Sequence, residues 1–91
     1  MHYRDIYEEL KRIEFKYKGR GDFDENTMFN VARDAEKAKR LIKPVNEAHR
    51  SLAILDKAIA YSNSTTKEED TTKKLAVGTL EDGIAQFLNK A

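Results

Sequence analysis

Apolar residues along this chain recur at the spacing of one helical face, and no segment shows the alternation of period two that a half-buried strand requires. The first segment places Tyr3, Ile6, Tyr7, Leu10, Ile13 and Tyr17 at i, i+3, i+4, i+7, i+10 and i+14, a single amphipathic stripe. Gly19 and Gly21 then end it, as glycine commonly does beyond a helix C-terminus. The pattern predicts helix one from about Tyr3 to Lys18.

A second stripe opens after Asp24 and Asn26, either of which can cap a helix, with Glu25 favouring its first turn. Met28, Val31, Ala35, Ala38, Ile42, Val45, His49, Leu52 and Ile59 continue it, and Asp56 is the one misfit. The register runs through Pro44, which has no N–H to donate and crowds the carbonyl of Arg40. Because the stripe keeps its phase on both sides, a single helix kinked at Pro44 is expected from about Asn26 to Ser62. A true break after Lys43 is the alternative.

The polar connector SNSTTKEED, Ser62 to Asp70, leads into a last helix over about 70–90. It carries Leu75, Val77, Leu80, Ile84, Phe87, Leu88 and Ala91 on one face. Gly78 and Gly83 lie inside it, each costing about 1 kcal/mol relative to alanine. Such glycines suit a place where a neighbouring backbone comes close.

The expected fold is therefore all-α, one domain over 1–91. It is read as a small helical hairpin or bundle of three main helices, the middle one long and kinked or broken near Pro44. A middle helix of that length outruns helix one. Either the two outer helices cover different halves of its stripe, or a second chain completes the cover. Ala32, Ala35 and Ala38 permit close helix approach in both cases.

Ninety-one residues make a thin core for their surface. With no cysteine, disulfides and thiolate metal sites are excluded, and a homo-oligomer is expected. Lys+Arg (17) and Asp+Glu (16) almost cancel, unlike the basic excess of a protein that binds long nucleic acid or the acidity of a DNA mimic. No apolar run is long enough to span a membrane, and Met1 leads into a charged helix rather than a signal sequence. The expectation is a soluble, cytoplasmic protein with no membrane partner.

Catalytic signatures are missing. There is no G-x-S-x-G, Walker loop, H-E-x-x-H or Cys–His pair. Glu8/Glu9 and Glu68/Glu69 read as surface charge, and His2 and His49 are too far apart for a zinc pair. His49, on the apolar stripe, reads as a packed or interfacial histidine. No enzyme activity, metal or cofactor is expected.

Binding chemistry is a different matter. Helix one carries Tyr3 and Tyr7 on one stripe with Arg4 beside them, and Lys16, Lys18 and Arg20 gather at its end among bare glycines. Aromatic rings stack on nucleobases of any kind, and Lys and Arg make charge-assisted bonds to phosphate. The same tyrosines also read as core residues, and the same lysines as cations favoured at a helix C-terminus. In an antiparallel pair of chains, Tyr3 of one would approach Lys18 of the other, making a site for a compact anionic nucleotide. A second basic cluster, Lys37, Lys39, Arg40 and Lys43, reads either as a solvated face or as a phosphate site.

"YRDI" at Tyr3 to Ile6, followed by "KGRG" at Lys18 to Gly21, resembles the opening of a helical hairpin domain in small phage proteins. These are the anti-CBASS sponges, related to one class of anti-Thoeris sponge. The family begins Tyr-Arg-Asp-Leu and continues through a helix ending in Lys-x-Lys-Gly, with the spacing found here from Tyr3 to Lys18. "TLEDGIAQFLNKA", Thr79 to Ala91, is similar in type and phase to the family's closing Leu-Gln-Gln-Gly-Phe segment and its aliphatics. The two ends carry the resemblance; "KPVNEAHRSLAILDKAIAYSNS" has no counterpart in the family.

The resemblance implies an all-helical oligomer that sequesters the cyclic oligonucleotide alarm signals of bacterial immunity, without cleaving them, in the host cytoplasm. It implies that Tyr3 stacks on the bases and Lys18 meets the phosphates; Tyr7, on the same stripe, is the alternative stacking residue, and the chemistry of helix one adds Arg4 and Arg20 as ligand-binding candidates. Cyclic dinucleotides are the expected ligands, with cyclic trinucleotides a second class. The alternative is a helical protein-interaction module, such as a bacteriocin immunity protein or a phage inhibitor of a host protein. In that reading "LIKPVNEAHRSLAILDKAI" faces the partner. A nucleic-acid binder using Lys37 to Lys43 ranks third, disfavoured by the near-zero net charge.

Overall fold

Pro44 divides the expected middle helix in two. The computed structural model describes residues 2–18, 23–45 and 48–89. Among them it contains four helices and no strand: α1 Tyr3–Tyr17, α2 Thr27–Ile42, α3 His49–Ser62 and α4 Asp70–Leu88. The all-α expectation holds, as do the first and last helices to within the usual uncertainty of helix ends. The single kinked helix from Asn26 to Ser62 does not: the three main helices expected are four, and the alternative, a break after Lys43, is what the chain adopts.

The reason is local and then tertiary. The Val45 N–H donates to the Ile42 carbonyl at 2.9 Å, closing a tight turn around the proline instead of extending the helical ladder. With the chain turned back, α2 and α3 pack on one another. Met28, Val31, Ala35, Ala38 and Ile42 of α2 are buried, as are Leu55 and Ala58 of α3. The stripe does not keep its phase across Pro44: α3 buries Ser51, Leu55, Ala58 and Ser62, one residue off the expected Leu52, Asp56 and Ile59, and leaves Leu52 and Ile59 partly buried at the edge. Asp56, the misfit, is exposed and pairs with Lys39 of α2. That bond holds the Lys39 ammonium above its ordinary range. His49 lies exposed at the start of α3 and is not part of the packed stripe.

The four helices form an antiparallel bundle in which α1 and α3 each pack against both α2 and α4, while α2 and α4 also meet across the centre. Leu10, Val31, Ala35, Ala38, Leu55, Ala58, Ala76 and Leu80 are wholly buried there. A β-carbon on Gly83 would sit 2.8 Å from Leu55 Cδ2 and 2.9 Å from its Cγ, so this glycine lets α4 seat against α3. Gly78 has nothing within 4 Å of such an atom, and no close approach explains it.

One buried polar cluster ties α1 to α2. Asp34, 4% exposed, accepts the Tyr17 hydroxyl at 2.6 Å and the Lys16 ammonium at 3.0 Å. Beyond Tyr17, Asp24 and Thr27 organise the start of α2. The Asp24 N–H donates to Thr27 Oγ1, and Asp24 Oδ1 accepts the Asn26 N–H, both at 2.9 Å. Among the described residues no helix is long and apolar enough to cross a membrane.

Candidate functional site

Because α1 runs antiparallel to α2, its first turn lies beside the end of α2. A pocket of about 610 Å³ opens between them. Its apolar side is formed by Ile6, Leu41, Pro44 and Val45, and its polar side by Tyr3, Lys37 and Arg40. Lys37, Arg40, Leu41 and Pro44 stand at i, i+3, i+4 and i+7, so one strip of α2 and its continuation supplies most of the wall. The turn at Pro44 that ends α2 thus also closes one end of the pocket.

Tyr3, the first residue of α1, is held at this corner by α4. Its ring stacks on Phe87 of α4 with centroids 6.0 Å apart and planes inclined by 30°. Phe87 is buried, whereas Tyr3 keeps 44% of its surface exposed. The ring is therefore positioned by the core yet open to a ligand.

The two cations differ in their surroundings. Lys37 Nζ lies 3.0 Å from Glu9 Oε2, and the other oxygen of that carboxylate accepts from Arg12 Nη1 at 2.9 Å. The hydrogen bond from Lys37, then its charge, holds the Glu9 carboxyl below its ordinary range; Arg12 adds to this, and burial opposes it. Arg40 forms no ion pair among the described residues. Chemically, the pocket offers a flat ring, one uncommitted guanidinium and one ammonium shared with an internal carboxylate.

The residues expected to bind ligand are distributed unevenly around this pocket. Tyr3 lines it. Arg4, its chain neighbour, is exposed and does not line it. Tyr7 is 39% exposed, with Lys11 Nζ 5.8 Å from the centre of its ring. Lys18 caps the far end of α1 and is exposed. At ~1.5 Å per residue it stands roughly 22 Å from Tyr3, so a single chain does not join the two. Arg20 lies outside the described residues.

Lys37 and Arg40 were legible only as part of a basic cluster, and nothing in their spacing alone said that Tyr3 would face them. Within that cluster Lys39 turns to Asp56, and Lys43 is exposed away from the pocket lining. A second cavity, near Lys16, Tyr17 and Asn30, holds only about 60 Å³. Among the described residues no group of three or more His, Cys, Asp or Glu is arranged to hold a metal ion.

No protein-family model, curated protein or solved structure matches this chain.

Proposed function

We propose that this chain is a binding module that holds a compact anionic nucleotide, with cyclic dinucleotides the leading class, and sequesters it without cleaving it. The observation that carries this reading is the meeting of Tyr3, Lys37 and Arg40 over an apolar wall in one pocket. Its volume falls within the ~300–1,000 Å³ of small-molecule sites. Stacking a base on an exposed ring contributes about 1–3 kcal/mol. A phosphate gains charge-assisted bonds from a guanidinium and an ammonium.

The near-zero net charge favours a compact ligand over a strand. Long nucleic acid is held by many phosphate contacts spread over a basic surface, whereas this chain has almost no basic excess, and two cations, Lys37 and Arg40, meet in the pocket. Function would follow from mass action: a module in excess of its ligand, releasing it slowly, lowers the free concentration with no turnover. The resemblance at "YRDI" and "KGRG" points to the same class of ligand and to a homo-oligomer in a host cytoplasm. On this reading the groups that would meet the phosphates are Lys37 and Arg40 of α2, rather than Lys18 as in the resemblance.

A protein-interaction role is the second reading, and a specific observation favours it. Phe15 and Phe29 are 79% and 68% exposed on the outer faces of α1 and α2. Within "LIKPVNEAHRSLAILDKAI", Leu55 and Ala58 are wholly buried, and Leu41, Leu52 and Ile59 are partly buried. Native mass spectrometry and thermal melts with cyclic diadenylate, cyclic GMP–AMP, a linear dinucleotide and a single-stranded oligonucleotide separate the readings. Uptake of intact cyclic ligand with a raised melting temperature supports sequestration. Failure to take up any of them, with an unchanged melt, transfers the case to Phe15 and Phe29.

A further inference from the structure

Glu9 does not line the pocket, yet it holds one of the pocket's two cations. We infer that Glu9 is a built-in counter-ion: it keeps Lys37 in reserve, and an incoming phosphate must take Lys37 from it. This rests on the nucleotide-binding reading and adds to it the residue that sets how much negative charge a ligand needs.

The geometry makes the transfer inexpensive. Lys37 Nζ is 3.0 Å from Glu9 Oε2, and both side chains are in contact with solvent, so the pair is of the weak, screened kind. Glu9 is not stranded when Lys37 leaves, because Arg12 holds its other oxygen at 2.9 Å. A lysine carries its charge on a flexible four-carbon stem and can swing between partners, as a planar guanidinium in a fixed fork cannot do as freely. The stable carboxylate also has a selective effect. A ligand with a single phosphodiester charge is met by Arg40 alone, while Lys37 stays with Glu9. A ligand with two phosphodiester charges can occupy Arg40 and compete for Lys37 as well.

The experiment is a double-mutant cycle on the full chain, using cyclic diadenylate and 3′,5′-cyclic AMP as probes and calorimetry or fluorescence anisotropy as readout. Glu9→Gln should tighten cyclic diadenylate binding roughly two- to fivefold and steepen its dependence on salt, by removing the competing charge. In a Lys37→Gln background the same substitution should have little effect, because the carboxylate then has no lysine to withhold. Circular dichroism checks that each variant keeps its helices. If Glu9→Gln leaves affinity unchanged while Arg40→Gln weakens it tenfold or more, the counter-ion role is wrong and the pocket reading survives. A gain that persists without Lys37 also overturns the inference, since it would reflect net charge alone. If the wild-type chain takes up neither probe, the pocket reading fails and this inference with it.

Discussion

Tyr17 donates its hydroxyl to Asp34 Oδ2 over 2.6 Å, joining the end of α1 to the middle of α2 through a carboxylate that is 4% exposed. A carboxylate so buried is tolerated because it is bonded: Lys16 reaches the same oxygen at 3.0 Å, and Arg33 stands 3.9 Å from the other. Tyr17→Phe keeps the ring and deletes the bond. It is expected to destabilise the bundle by about 1–3 kcal/mol, the loss of a hydrogen bond to a buried charged group. Urea unfolding should show a lowered midpoint with an unchanged slope. An unchanged midpoint would mean that Lys16 alone satisfies Asp34.

The two glycines of α4 should respond oppositely to alanine. At Gly83 a β-carbon would press on Leu55, which is wholly buried, and would lie 3.3 Å from Ile54 Cγ2. Gly83→Ala is therefore expected to cost about 1–3 kcal/mol through overpacking between α3 and α4. At Gly78 the added methyl meets nothing, and Gly78→Ala should stabilise by roughly 0.5–1 kcal/mol by restricting the unfolded chain. Thermal melts of the two variants, run side by side, check the sign of each. A loss at both positions would contradict the open space at Gly78.

Glu81 makes stability depend on pH. Burial first, then the charges of Asp82 and Glu14, pushes its carboxyl above the ordinary value of 4.5. The folded chain thus binds this proton more tightly than the unfolded chain does. Its contribution is fully present below 4.5 and is lost as pH rises from there through the folded value. Glu81→Gln is expected to raise the melting temperature at neutral pH and to give no gain in acid below the ordinary value. Melts across that range test it; a gain that grows toward acid would reverse the sign.

What the sequence disclosed was the part governed by periodicity. Ile6, Leu10, Ile13 and Tyr17 of the first stripe are all buried, and Lys18 stands at the helix end that the glycines marked. Periodicity failed at Pro44 because the register carried through the proline selected the wrong face of α3: Ser51, Leu55, Ala58 and Ser62 are buried, whereas His49 and Asp56 of the expected stripe are exposed. A turn resets the helical phase, so a stripe cannot be carried across it. It also failed for the outer members Tyr3, Tyr7 and Leu75, which share a stripe with core residues but sit at its exposed margin. The pocket was half legible. Tyr3 and the Lys37–Lys43 cluster each stood out chemically, but their meeting depends on α1 running antiparallel to α2 after a connection whose length alone does not fix the packing. Asp34, a charged residue between Arg33 and Ala35, gave no sign of burial.

The placement of Tyr3 beside Lys37 and Arg40, with Lys18 at the opposite end of α1, separates two versions of the same function. If ligand binds in the pocket of one chain, Tyr3→Ala and Arg40→Ala should each weaken cyclic dinucleotide binding tenfold or more, and Lys18→Ala should leave it within about twofold. If ligand instead bridges two antiparallel chains through Tyr3 and Lys18, Lys18→Ala should be as damaging as Tyr3→Ala, and Arg40→Ala should be nearly silent. Tyr3→Ala also removes the ring stacked on Phe87, so a loss of about 0.5–1.5 kcal/mol in stability is expected alongside the loss in binding. Tyr3→Phe distinguishes the two effects: it preserves both stacking faces and should keep most of the affinity. Titration calorimetry on the four variants, with light scattering to record the number of chains per complex, measures both quantities. Loss at Arg40 with indifference at Lys18 assigns the site to a single chain, and the reverse pattern moves it to an interface between copies.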